Sequence, residues 1–135
     1  VQMLNGCIGG LVAITAERLM PSPLAAILIG AVGGIIVVYG TKLLFSLQID
    51  DVVGAVPAHL FAGIWGTLIV PATNVDASFS AQLIGVVSVN AFVFIVSYII
   101  WSIMKVSIGL RLSKEGETKG TDVTETGVIA YAIRD

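Results

Sequence analysis

The chain has 135 residues, 56% of them hydrophobic and 12% charged, with a formal net charge of −2 and a mean hydropathy of +0.99. A soluble domain carries about 25% charged residues. Of the sixteen here (seven basic, nine acidic), ten fall between Lys105 and Asp135, leaving six for the first 104 positions. That distribution excludes an ordinary soluble domain, a disordered chain and a nucleic-acid binder, because no basic field is offered to phosphates; the single cysteine, Cys7, excludes an internal disulfide framework and a cysteine-based zinc site.

What remains is an all-α integral membrane protein, a bundle of membrane-spanning helices. The chain opens at Val1 inside an apolar stretch, with neither the basic start nor the cleavage site of a signal peptide. It is therefore expected to be the carboxy-terminal part of a longer protein. Four uncharged runs follow in order: 1–16, 19–41, 52–75 and 77–104. A helix needs about 20 apolar residues to cross the hydrocarbon core. The last three runs meet that length and the first falls a little short, so the expected spans are about 1–16, 22–43, 51–70 and 78–106. Together they form a transmembrane region over 1–108, followed by a tail over 109–135.

Segments such as Leu24 to Val38 are apolar throughout, without the alternation that a membrane barrel strand requires. Pro21 and Pro23 suit the start of the second span, where a missing N–H costs nothing. Pro71 and the residues up to Asp76 read as the turn before the fourth span. Lys and Arg concentrate after that span (Lys105, Arg111, Lys114, Lys119, Arg134) and are missing from 71–80. The positive-inside rule then predicts a cytoplasmic tail, an external loop at 71–80 and a cytoplasmic loop between Lys42 and Asp51.

The third span begins at Asp50 and Asp51, whose carboxylates suit a helix N-terminus and are read as caps. Pro57 removes a backbone donor one turn later and is expected to bend the helix. His59 is the only histidine and lies about 12 Å inward from Asp51 at 1.5 Å per residue. An ionisable group at that depth is a candidate functional site. Ala55, Ala62, Gly63 and Gly66 share its helical face, so His59 faces either a tightly packed helix or a narrow lumen. Hydrocarbon favours the neutral imidazole, which presents one donor and one acceptor and needs a partner. The intramembrane candidates are Asn5, Thr15, Ser88 and Asn90. Asn90 and Ser97 also read as interhelical glue, and the Gly6/Gly10 and Ala26/Gly30/Gly34 rows as surfaces for close helix packing. Enzyme chemistry lacks the residues: there is no metal set, no nucleophile with a base and no phosphate loop. No cofactor is expected.

Three stretches together resemble the ammonium transporter family (the Amt/MEP group, related to Rhesus proteins). They are Asn5-Gly-Cys-Ile-Gly-Gly-Leu-Val-Ala-Ile-Thr-Ala16, Asp50-Asp-Val-Val-Gly-Ala-Val-Pro-Ala-His-Leu-Phe-Ala-Gly-Ile-Trp-Gly-Thr67, and the tail from Gly109-Leu-Arg-Leu-Ser to Ile129-Ala-Tyr131. The resemblance implies the last four helices of an eleven-helix, pseudo-symmetric, channel-like transporter, built as a homotrimer in the cell membrane. It implies ammonium as the substrate, deprotonated outside and passed as ammonia through an apolar pore lined by a histidine pair, of which His59 is the second. Ile8, Thr15 and Ala55 fall at pore-lining positions of the family. Leu60 stands where many members have glycine. In the tail, Lys114 and Gly116 replace acids, Thr121 replaces leucine, Thr126 histidine and Val128 glutamate, which puts regulation by a PII-type signal protein in doubt. An ammonium-sensing, transporter-like module of a signalling protein is the alternative reading.

Overall fold

Helices in a bilayer gain nothing from hiding apolar surface against one another, so they pack closely only where small residues let their backbones meet. The computed structural model describes residues 2–17 and 22–129; Val1, Arg18, Pro21, Tyr131 and Arg134, which entered the sequence reading, lie outside them. Every regular element among the described residues is helical. Two compact units divide the chain, Val1–Ala91 and Phe92–Asp135.

In the first unit, α1 (Gln2–Thr15) and α2 (Pro23–Ser46) pack against each other along their small residues. A Cβ added to Gly10 would come within 3.0 Å of the Gly30 carbonyl oxygen, and one added to Gly34 within 3.3 Å of the Gly6 carbonyl oxygen. Ser22 starts α2, its hydroxyl accepting the Ala25 N–H at 3.4 Å with Pro23 at the first helical position. The third helical run has three parts: a π-helical segment over Val56–Phe61, α3 (Ala62–Ile69) and a 3₁₀ turn over Val70–Ala72. It rests on both earlier helices. A Cβ on Gly66 would strike the carbonyl of Ala13, and Trp65 Nε1 donates to the Ile29 carbonyl at 3.1 Å. The core is small, with Val37, Ala58 and Ala62 buried and Val12 packed against them.

The last long helix, α4 (Phe79–Ser107), spans 29 residues and buries none of them. Among the described residues, Pro23–Ser46 and Phe79–Ser107 are long and apolar enough to cross a membrane, whereas Gln2–Thr15 and Val56–Ala72 are shorter apolar helices.

The tail of the second unit folds locally. Ser113 caps α5 (Lys114–Lys119) by accepting the Gly116 N–H at 3.1 Å. Gly120, at φ 100°, ends it. A π-helical turn over Asp122–Thr126 then brings the Thr124 hydroxyl to donate to the Gly116 carbonyl at 3.2 Å. Gly116, which stands where the resembled family has an acid, is buried, and a Cβ there would lie 3.2 Å from Thr124 Cγ2. Arg111 Nε donates to Glu117 Oε1 at 2.6 Å. That hydrogen bond, and then the paired charge, hold the guanidinium above and the carboxyl below their ordinary ranges. Both groups are exposed to solvent, so the pair orients the tail without adding much stability.

The glycine contacts lead to a stability prediction. Gly66→Ala forces α3 off the Ala13 backbone and is expected to destabilise the full-length protein by about 1–3 kcal/mol, the cost of overpacking. Gly85→Ala, where nothing lies within 4 Å of an added Cβ, should change it far less. Apparent melting temperatures in detergent compare the two, and equal losses would rule out close approach at Gly66 as a source of stability.

Candidate functional site

Local chemistry sets the start of the third helical run. Asp51 accepts the Ala55 N–H on Oδ1 and the Val56 N–H on Oδ2, each at 2.9 Å, satisfying donors that no preceding turn can serve. Asp50 is exposed and, with Asp51, Gly54 and Pro57, borders an open hollow of about 460 Å³. Gly54 takes φ 74°, which glycine adopts without strain. Asn5 Nδ2 donates to the Val53 carbonyl at 2.6 Å, tying this loop to α1.

Pro57 has no N–H to give, and the turn around it is wound wider than an α-helix, with the Ala62 N–H reaching the Pro57 carbonyl five residues back. The Pro57 ring is fully buried beside Gly40 of α2, where an added Cβ would lie 3.1 Å from Pro57 Cβ. Ala58 and Ala62 turn into the core at 2% and 0% exposure. With residues 57, 58 and 62 facing inward, His59 faces outward and is exposed.

Its imidazole opens onto a groove of about 300 Å³. One wall carries His59, Gly63 and Thr67; the other, from α4, carries Gly85, Val86 and Asn90. Leu60, the bulky neighbour of His59, reaches the same groove. No side chain lining it other than His59 is titratable. The row of small residues noted in the sequence therefore divides. Ala62 and Gly66 are buried in helix packing, while Gly63 faces the groove.

Ile8 and Thr15 lie exposed on α1, with the Thr15 hydroxyl donating to the Val12 carbonyl at 2.7 Å. Ala55 is exposed at the start of the π-helical segment. The groove brings none of these three together with His59. Val12, four residues after Ile8 and three before Thr15, lies near Gly63: a Cβ on Gly63 would be 3.7 Å from Val12 Cγ1. Sequence reasoning passed over Val12, Gly85 and Val86, which carry no polar signal, and treated Asn90 as one of several polar candidates.

A family model described as the Ammonium Transporter Family matches residues 1–131. A protein of Synechocystis sp. provisionally named an ammonium transporter is 44% identical over 126 residues, a match covering 92% of this chain and 28% of that protein. An ammonium transporter of Archaeoglobus fulgidus is 35% identical over 148 residues (94% and 31%), and one of Bacillus subtilis 33% identical over 147 residues (95% and 36%). The chain thus spans between 28% and 36% of the length of these relatives.

The cap at the head of the third run is open to test. Asp51→Ala leaves the Ala55 and Val56 N–H groups without their acceptor and is expected to cost about 1 kcal/mol of stability. Asp50→Ala should cost clearly less. Thermal unfolding of the two variants of the full-length protein separates them, and a larger loss for Asp50 would overturn the assignment.

Proposed function

The chain belongs to the ammonium transporter family, and we propose that, within a full-length membrane protein, it lines a path along which ammonia crosses the bilayer past His59. The observation that carries this reading is the outward turn of His59 into an apolar groove in which it is the only titratable group. A histidine serving only to hold helices together would be closed into the packing. Here the packing is done by Pro57, Ala58 and Ala62. That the relatives are named ammonium transporters supports the same substrate.

Physical chemistry favours the neutral species. A bare ammonium ion in hydrocarbon costs several kcal/mol or more, whereas ammonia is small and uncharged. On this reading ammonium loses its proton at the external mouth, ammonia passes the imidazole, and the proton crosses separately with help from a histidine pair, of which His59 is one member. The remaining pore wall would come from parts of the protein outside these 135 residues. The same reading places the chain as the last four helices of an eleven-helix subunit of a homotrimer in the cell membrane, with its tail in the cytoplasm. Ile8, Thr15 and Ala55 would border the path on other sides. The altered tail acids argue against control by a PII-type protein.

Ammonium-pulse currents in proteoliposomes of the full-length protein test the role of His59. His59→Ala is expected to reduce the current about a hundredfold, the lower end of what a positioned proton-transfer group contributes. An unchanged current with unchanged selectivity for ammonium over potassium would show that His59 plays no part in the path.

A further inference from the structure

Leu60 stands where many members of the family have glycine, and the function above leaves it unused. The fold decides where its side chain goes. Pro57 and Phe61 both lie against Gly40 of α2: a Cβ added to Gly40 would come within 3.1 Å of Pro57 Cβ and 2.6 Å of Phe61 Cδ2. Ala58 and Ala62 are buried in the core. Residues 57, 58, 61 and 62 are thereby held inward, and His59 and Leu60 between them face out. With its neighbours clamped on both sides, the Leu60 backbone cannot turn to bury the side chain. It lines the groove beside His59 and keeps 39% of its surface exposed.

Around Leu60 the groove is apolar. Gly63 and Ile64 follow it on the same side, and His59 is the one titratable group of the lining. An apolar wall cannot tell one small neutral amine from another by charge. It can do so by size, because a side chain excludes whatever volume it fills. One extra methyl-sized group in a hydrophobic site changes discrimination by about 10- to 200-fold. Leucine sets a branched four-carbon side chain immediately beside the imidazole, where glycine would leave bare backbone.

We propose that Leu60 is a specificity-determining residue of the path: it holds the clearance beside His59 to the size of ammonia and turns back amines that carry a methyl group or more. The discrimination is made after the proton has been left behind, where charge no longer separates the candidates and volume still does. The inference rests on the reading that ammonia passes His59, and its test keeps the two apart.

The test uses full-length protein in proteoliposomes, given pulses of ammonium and of methylammonium at equal concentration. The readout is the ratio of the two currents, which a merely structural loss leaves unmoved because it lowers both together. Leu60→Ala is expected to raise the methylammonium-to-ammonium ratio about tenfold, the lower end of what one methyl-sized group supplies. Leu60→Gly should raise it at least as far. Leu60→Met, nearly equal in volume, should leave it where it is. Alanine is a strong helix former, so Leu60→Ala carries the test if glycine prevents assembly. A ratio unchanged in Leu60→Ala would overturn the proposal, as would an equal rise in Leu60→Met. His59→Ala is measured alongside. A lost ammonium current in His59→Ala with an unmoved Leu60 ratio removes the filter and keeps the path. An unchanged current in His59→Ala with a raised Leu60 ratio keeps the filter and removes the histidine from the path.

Discussion

The structure depends on how closely three backbones can approach. Gly10 against Gly30, Gly6 against Gly34 and Gly66 against the Ala13 carbonyl let α1 lie directly on both α2 and α3. Inside a bilayer this contact is dispersion between close surfaces, with no gain from expelling water. Each small residue is therefore worth more to association here than a larger apolar one would be. Once α1 is fixed, other contacts follow from it. Asn5 reaches the loop before the third helical run, Val12 meets the face that carries Gly63, and the Trp65 indole finds the Ile29 carbonyl.

Pro57 then decides what that third run presents. Its ring needs an apolar neighbour without bulk, and Gly40 supplies the space. Docking the ring there fixes the rotation of the segment about its axis, and the wide turn that follows carries Ala58 and Ala62 inward together. Residue 59 is left on the outer side. The proline, usually read as a helix breaker, serves here as the wedge that aims the histidine, while the Asp51 carboxylate closes the helix end the proline leaves short of donors and acceptors in register.

Much of this was legible in the sequence, because charge and apolar length are blunt signals. The helical class, the turn near Pro71 and the glycine rows were all read from residue type; at Pro57, where a bend was expected, the structure has a π-helical segment. The division of the Ala62, Gly63 and Gly66 row was not legible in this way. All three lie in α3, where Ala62 and Gly66, four residues apart, share the buried face and Gly63 is turned away from Ala62 onto the groove side. A row read as one face thus separates into core and groove. Gly116 was read as a departure from a pattern of acids. A Cβ added there would lie 3.2 Å from Thr124 Cγ2, so the Thr124 side chain would have to give a little to admit one.

The distribution of polar groups gives the groove its character. A polar atom left unpaired in hydrocarbon costs several kcal/mol, and the spans settle most of theirs on their own main chain. Thr41 donates to the Val37 carbonyl, Thr15 to Val12, Ser102 to Tyr98 and the Asn90 amide to Val86. None of these bonds needs another helix, so none draws water or a charge into the bundle. His59 makes no such bond among the described residues, and its side chain is exposed. With Thr67 it faces a groove whose other side carries Gly85, Val86, Val89 and Asn90. A chain that wanted only packing would have placed an aliphatic residue there.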